Sequence, residues 1–132
     1  MPDSELLTRL QTTIEGLQWM SESDYPFEVC YWQDCDGDMA PEKLLELTQH
    51  EGNAAIELRD IDSFFEWATQ PQEWHSPEEQ EAVKKYQALV RLIKQLSDPN
   101  VYRIGQINLD IYILGKTEEG AIAGVKTKAV ET

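Results

Sequence analysis

The sequence predicts an α+β protein, a three-layer α/β/α sandwich around a mixed, mostly antiparallel sheet. Three observations carry that expectation. Apolar residues recur at three- and four-residue steps in two long stretches, the mark of amphipathic helices. Between Ile107 and Ile113 they alternate instead, the period of a half-buried strand. The elements run helix, strand, helix, strand, two helices, then consecutive strands, an order that places helices over both faces of one sheet.

Leu6, Leu7, Leu10, Ile14 and Leu17 define the first helix; Asp3 or Ser4 caps it, and it ends near Gly16. Trp19 and Met20 lead into a polar loop, Ser21 to Asp24. Phe27 to Trp32 is aromatic and β-branched, hence a strand. Asp34 to Asp38 is an acidic turn, and Pro41 opens a short helix through Leu44, Leu45 and Leu47. Ala54 to Arg59 is a second strand. Asp60 or Asp62 then caps a short helix with Phe64, Phe65 and Trp67 on its apolar side. Ser76-Pro77-Glu78-Glu79 has the residues of a capping box, with proline in the first turn. The helix behind it presents Val83, Tyr86, Leu89 or Val90, Ile93 and Leu96, and ends before Pro99. From Val101 strands follow, and Lys116 to Gly120 turns the chain so that Ala121 to Val130 returns antiparallel.

At 132 residues the chain is expected to form one domain, 1–132. Twenty-five acidic residues face eleven basic ones, a net charge of −14, while 41% of residues are hydrophobic. Such a field repels nucleic acid and anionic membranes and attracts basic proteins. No basic N-terminal region precedes an apolar run, and no run approaches the ~20 residues of a membrane span, so a cytoplasmic protein is expected. Cys30 and Cys35 make no disulfide framework. Reduced thiols suit that compartment, although a local bridge between them stays open.

Catalytic motifs fail on inspection. Asp34-Cys35-Asp36-Gly37-Asp38 starts like a calcium loop, yet Met39 holds the position of its glycine and Leu45 that of its bidentate glutamate. His50 and His75 lack metal-ligand spacing to either cysteine. There is no Gly-x-Ser-x-Gly elbow and no phosphate-binding glycine loop. The expectation is a non-enzyme without cofactor or metal of its own. The rival, a hydrolase using Asp34, Asp36 and Asp38, requires metal affinity in the isolated chain.

Three places suit a binding surface. Trp74 sits in a connection between Pro71 and the Ser76 cap, where it either covers the core or anchors a partner. Glu22 lies in a loop stiffened by Pro26. Thr132 follows a strand closely, so its oxygens are tethered, and oxygen donors suit magnesium.

These runs resemble the nuclease A inhibitor family, small cyanobacterial proteins that inhibit a sugar-nonspecific nuclease. The resemblance spans essentially the whole chain. It is densest in Met20 to Val29, Asp60 to Phe65, Pro71 to Trp74, Val101-Tyr102-Arg103 and Thr127 to Thr132. It implies the same α/β/α sandwich, and a protein that plugs the magnesium-bearing active site of its target. Glu22 would enter that site, Gln72 and Trp74 would contact the rim, and Thr132 would reach toward the nuclease's metal. The Cys30–Cys35 pair and the turn from Asp34 to Ala40 depart from the family pattern. The expected partner is a sugar-nonspecific, magnesium-dependent nuclease, met by a free monomer. The alternative is an acidic intracellular module for another basic protein, without nuclease inhibition.

Overall fold

The heptad-like spacing at the start of the chain becomes helix α1 (Asp3–Ile14), with Leu6, Leu10 and Ile14 buried along one side. This computed structural model describes residues 3–19, 25–33, 44–45, 48, 55–66, 69, 76–105 and 108–130. Helix α1 stops because Gly16 takes φ +76°, a left-handed conformation that suits glycine, and Leu17 N–H donates to Ile14 O at 2.9 Å. Asp3 is the first residue of α1. Both hydrogen bonds its carboxylate accepts come from hydroxyls, not first-turn amides: Tyr31 at 2.7 Å and Thr117 at 2.9 Å.

Two short strands, β1 (Gln18–Trp19) and β2 (Tyr25–Pro26), pair antiparallel, Gln18 opposite Pro26 and Trp19 opposite Tyr25. Sequence periodicity cannot show two-residue strands, so this pairing was not anticipated. Strand β3 (Glu28–Trp32) follows, then the helical residues Leu44 and Leu45, and β4 (Ile56–Arg59). Helix α2 (Ile61–Phe65) is capped by Asp60, whose carboxylate accepts from Ser63 N–H at 3.1 Å. Helix α3 (Pro77–Lys94) carries the full capping box: Ser76 Oγ accepts from Glu79 N–H at 3.2 Å, and Glu79 Oε1 accepts from Ser76 N–H at 3.4 Å. Lys94 on α3 pairs with Asp62 on α2.

Strands β5 (Ser97–Ile104), β6 (Asn108–Lys116) and β7 (Ile122–Val130) complete a five-stranded sheet of order β3-β7-β6-β5-β4. Every pairing among the described strands is antiparallel, where the sequence reading allowed a mixed sheet. Strand alternation then sorts the side chains. Val101, Leu109, Ile111, Ile113, Ala123 and Val125 face α1 and α3 and form the larger core with Leu10, Phe65, Tyr86 and Leu89.

The alternation in β6 reads as a half-buried strand, whereas the element order puts helices over both faces. On the other face Cys30, Tyr102, Ile104, Tyr112, Leu114 and Ile122 are buried in one cluster with Leu44 and Leu45. Strand β6 is therefore apolar on both sides over its second half. Gly124 marks the tightest point of that packing: with φ +158°, an added Cβ would lie 1.9 Å from Ile113 O.

Candidate partner-binding site

Glu22, Gln72, Trp74 and Thr132 all lie outside the described residues, as do Trp67, Cys35, His50, His75 and the acidic turn 34–38. The elements that lead into them are described. Strands β1 and β2 bracket residues 20–24, and Thr127 Oγ1 ties that bracket to β7 by donating to Pro26 O at 3.0 Å and Tyr25 O at 3.3 Å. Three residues beyond Thr127, β7 ends at Val130 opposite Asn108. The stretch holding Gln72 and Trp74 is fixed on both sides. Gln87 Nε2 donates to Thr69 O at 2.8 Å ahead of it, and the Ser76 cap closes it behind.

These flanks share one end of the molecule. The Asp3–Thr117 bond puts the start of α1 beside the β6–β7 turn, so α1 runs toward the opposite end, where β1 and β2 follow. Helix α3, 18 residues and about 27 Å long, is antiparallel to α1: Lys85 Nζ reaches Glu15 O at 2.8 Å, and Phe27 packs edge-on against Tyr86 at 6.2 Å. Strand β5, eight residues and about 26 Å, then returns beneath α3. The first turn of α3, the end of β5, the end of β7 and the β1–β2 bracket therefore lie toward the same end of the sheet. Sequence reasoning missed Thr127 as the clamp between two of them. Its signal, one threonine between Lys126 and Lys128 in a strand, does not stand out.

A groove of about 560 Å³ opens beside this end, lined by Tyr25, Pro26, Glu28, Asp110, Lys126 and Lys128 among others. Lys126 Nζ lies 3.4 Å from Glu28 Oε2, and Asp110 stands opposite Lys128 in the ladder. The groove thus carries balanced charge, not a cationic cradle. On the neighbouring strand β3, burial pushes the Cys30 thiol up to about 12, partly opposed by Lys126, while Glu28 adds to the rise. Burial also pushes the Tyr112 phenol up to about 12, helped by Asp110 and Cys30 and opposed by a hydrogen bond with Thr48. Tyr102 is raised for the same first reason. Both Cys30 and Tyr112 are protonated at neutral pH, and Cys30 is a free thiol with little thiolate to act as nucleophile.

Among the described residues no group of three or more His, Cys, Asp or Glu could hold a metal ion. No described helix is long and apolar enough to cross a membrane. The family model for nuclease A inhibitor-like proteins matches residues 4–132. The chain belongs to the nuclease A inhibitor-like family. No curated protein matches it. Membership in the nuclease A inhibitor-like family makes this a non-enzymatic protein inhibitor and suggests nuclease inhibition.

Proposed function

We propose that this protein inhibits a sugar-nonspecific, magnesium-dependent nuclease by occluding its active site. One observation carries the reading: the described segments flanking Glu22, Trp74 and Thr132 gather at one end of the sheet, with Thr127 bonded to Tyr25 and Pro26. Glu22 enters the cationic pocket of the nuclease, Gln72 and Trp74 pack on its rim, and a Thr132 oxygen reaches the bound magnesium. That oxygen excludes the water or phosphate the metal must hold for hydrolysis.

The net charge of −14 attracts a basic cleft over a distance set by salt, which raises the association rate. Burial of Trp74 then slows dissociation. A nanomolar complex needs about 12 kcal/mol. Exposed charge pairs supply only about 0–1 kcal/mol each, so the packed rim must supply most of it. As part of the same reading, the helical residues Leu44 and Leu45 belong to the third layer of an α/β/α sandwich, the layer that buries Tyr112 and Leu114.

The test is a titration of DNA degradation by a magnesium-dependent nonspecific nuclease with the purified chain. Stoichiometric loss of activity is expected, with potency falling for Glu22→Gln and Thr132→Ala while the melting temperature holds. A nuclease that works unimpaired at a large excess of the chain ends the proposal. Potency unchanged in both variants removes these residues from the contact.

A further inference from the structure

Strand β4 is the last strand on its side of the sheet, paired to β5 and, among the described residues, to nothing beyond. Its residues Ile56-Glu57-Leu58-Arg59 include no proline, and the two charges that guard this short edge, Glu57 and Arg59, are of opposite sign. Leu58 is the one exposed large hydrophobic residue among those described, at 50%.

The hydrogen-bond phase of this edge follows from a single contact. Gly105 N–H donates to Ala55 O at 2.9 Å, so Ala55 and Gly105 form a bonded pair. Bonded and non-bonded pairs alternate along an antiparallel ladder. Glu57 and Arg59 therefore turn their backbone groups toward Arg103 and Val101 on β5, while Ile56 and Leu58 turn theirs outward.

We propose that β4 pairs antiparallel with β4 of a second copy of this chain, centred on Leu58, joining two five-stranded sheets into one. In that register the outward N–H and C=O of Leu58 bond reciprocally to those of the other Leu58. Asp60 N–H meets Ile56 O, and the two Leu58 side chains share one face. On the opposite face Glu57 stands across from Arg59 in both directions. The sequence is thus charge-complementary to itself when reversed. Glu57 Oε1 already accepts from its own Arg59 Nε at 2.6 Å and lies 3.5 Å from Arg103 Nη1, so the dimer extends an existing cluster. The short strand and the repulsion between two chains of −14 confine the dimer to high concentration, and a free monomer stays the expectation for dilute protein.

Sedimentation equilibrium at 0.15 M salt tests this, with circular dichroism to confirm folding of each variant. The mass should move from 15.2 kDa toward twice that as concentration rises. Glu57→Arg and Arg59→Glu each place like charges opposite one another twice per interface, and each should weaken the dimer about tenfold or more. An equimolar mixture of the two variants restores attraction at both pairs and should dimerise about as well as the native chain. A chain that stays monomeric at millimolar concentration overturns the proposal. So does a dimer that survives both variants, or a mixture no better than its parts. Loss of nuclease binding in Glu57→Arg with no native dimer assigns the edge to the nuclease and overturns it too. Because the sedimentation readouts use the chain alone, they stand or fall apart from inhibition.

Discussion

Replacing Thr127 with valine keeps the volume of a buried side chain and deletes the hydroxyl that ties β7 to Tyr25 O and Pro26 O. One shared hydrogen bond of this kind contributes about 1 kcal/mol. For a chain of this size that lowers the melting temperature by about 4 °C. It leaves the folded fraction at 25 °C nearly complete, because total stability is about 5–15 kcal/mol. A global effect on inhibition is thereby excluded. The local effect is larger, because a bracket of two-residue strands is marginal without tertiary support. Weakening its attachment by about 1 kcal/mol multiplies the detached population about fivefold, which sets the ceiling on the rise in inhibition constant. Thr127→Ser retains the donor and should inhibit within about twofold of the native chain by the same reasoning. The assay is steady-state inhibition of DNA cleavage beside a thermal melt of each variant. An unchanged melting temperature in Thr127→Val, or equal damage in Thr127→Ser, refutes the clamp.

Gly124→Ala should unfold the chain or cost more than about 4 kcal/mol in urea titration, since its Cβ would sit 1.9 Å from Ile113 O. Asp3→Ala removes the acceptor shared by the Tyr31 and Thr117 hydroxyls and should cost about 2–3 kcal/mol by the same measurement. Asp3→Asn, which keeps an acceptor oxygen, should cost less. Stability should fall as pH rises from about 9 toward about 12. Cys30 and Tyr112 deprotonate later in the fold than in the unfolded chain, so over that range the unfolded state binds fewer protons and gains ground. Urea midpoints between pH 8 and 11, with tyrosinate absorbance followed alongside, measure it. Mass mapping after iodoacetamide treatment at pH 8 should find Cys30 unmodified in the native protein and modified in urea.

Helices α1 and α3 were legible because each buries one stripe, and a stripe prints its period on the chain. The capping box at Ser76 and the Asp60 cap are contacts within four residues, so local sequence is enough to specify them. Strand β6 was read correctly in place, while its alternation alone reads as half-buried. Alternation tells which residues share a face, but a second apolar face, here Tyr112 and Leu114, depends on Leu44 and Leu45 arriving from far along the chain. The candidate site divides the same way. Net charge and the residue types at Glu22, Gln72, Trp74 and Thr132 belong to the sequence.

That their flanks meet at one end does not, because it rests on the antiparallel course of α1 and α3 and on contacts more than a hundred residues apart, Asp3 to Thr117 and Thr127 to Tyr25. Periodicity and capping are short-range physics and can be read in one dimension. The Thr127 clamp, the buried thiol and the outward phase of β4 arise only when strands distant in sequence are set in register.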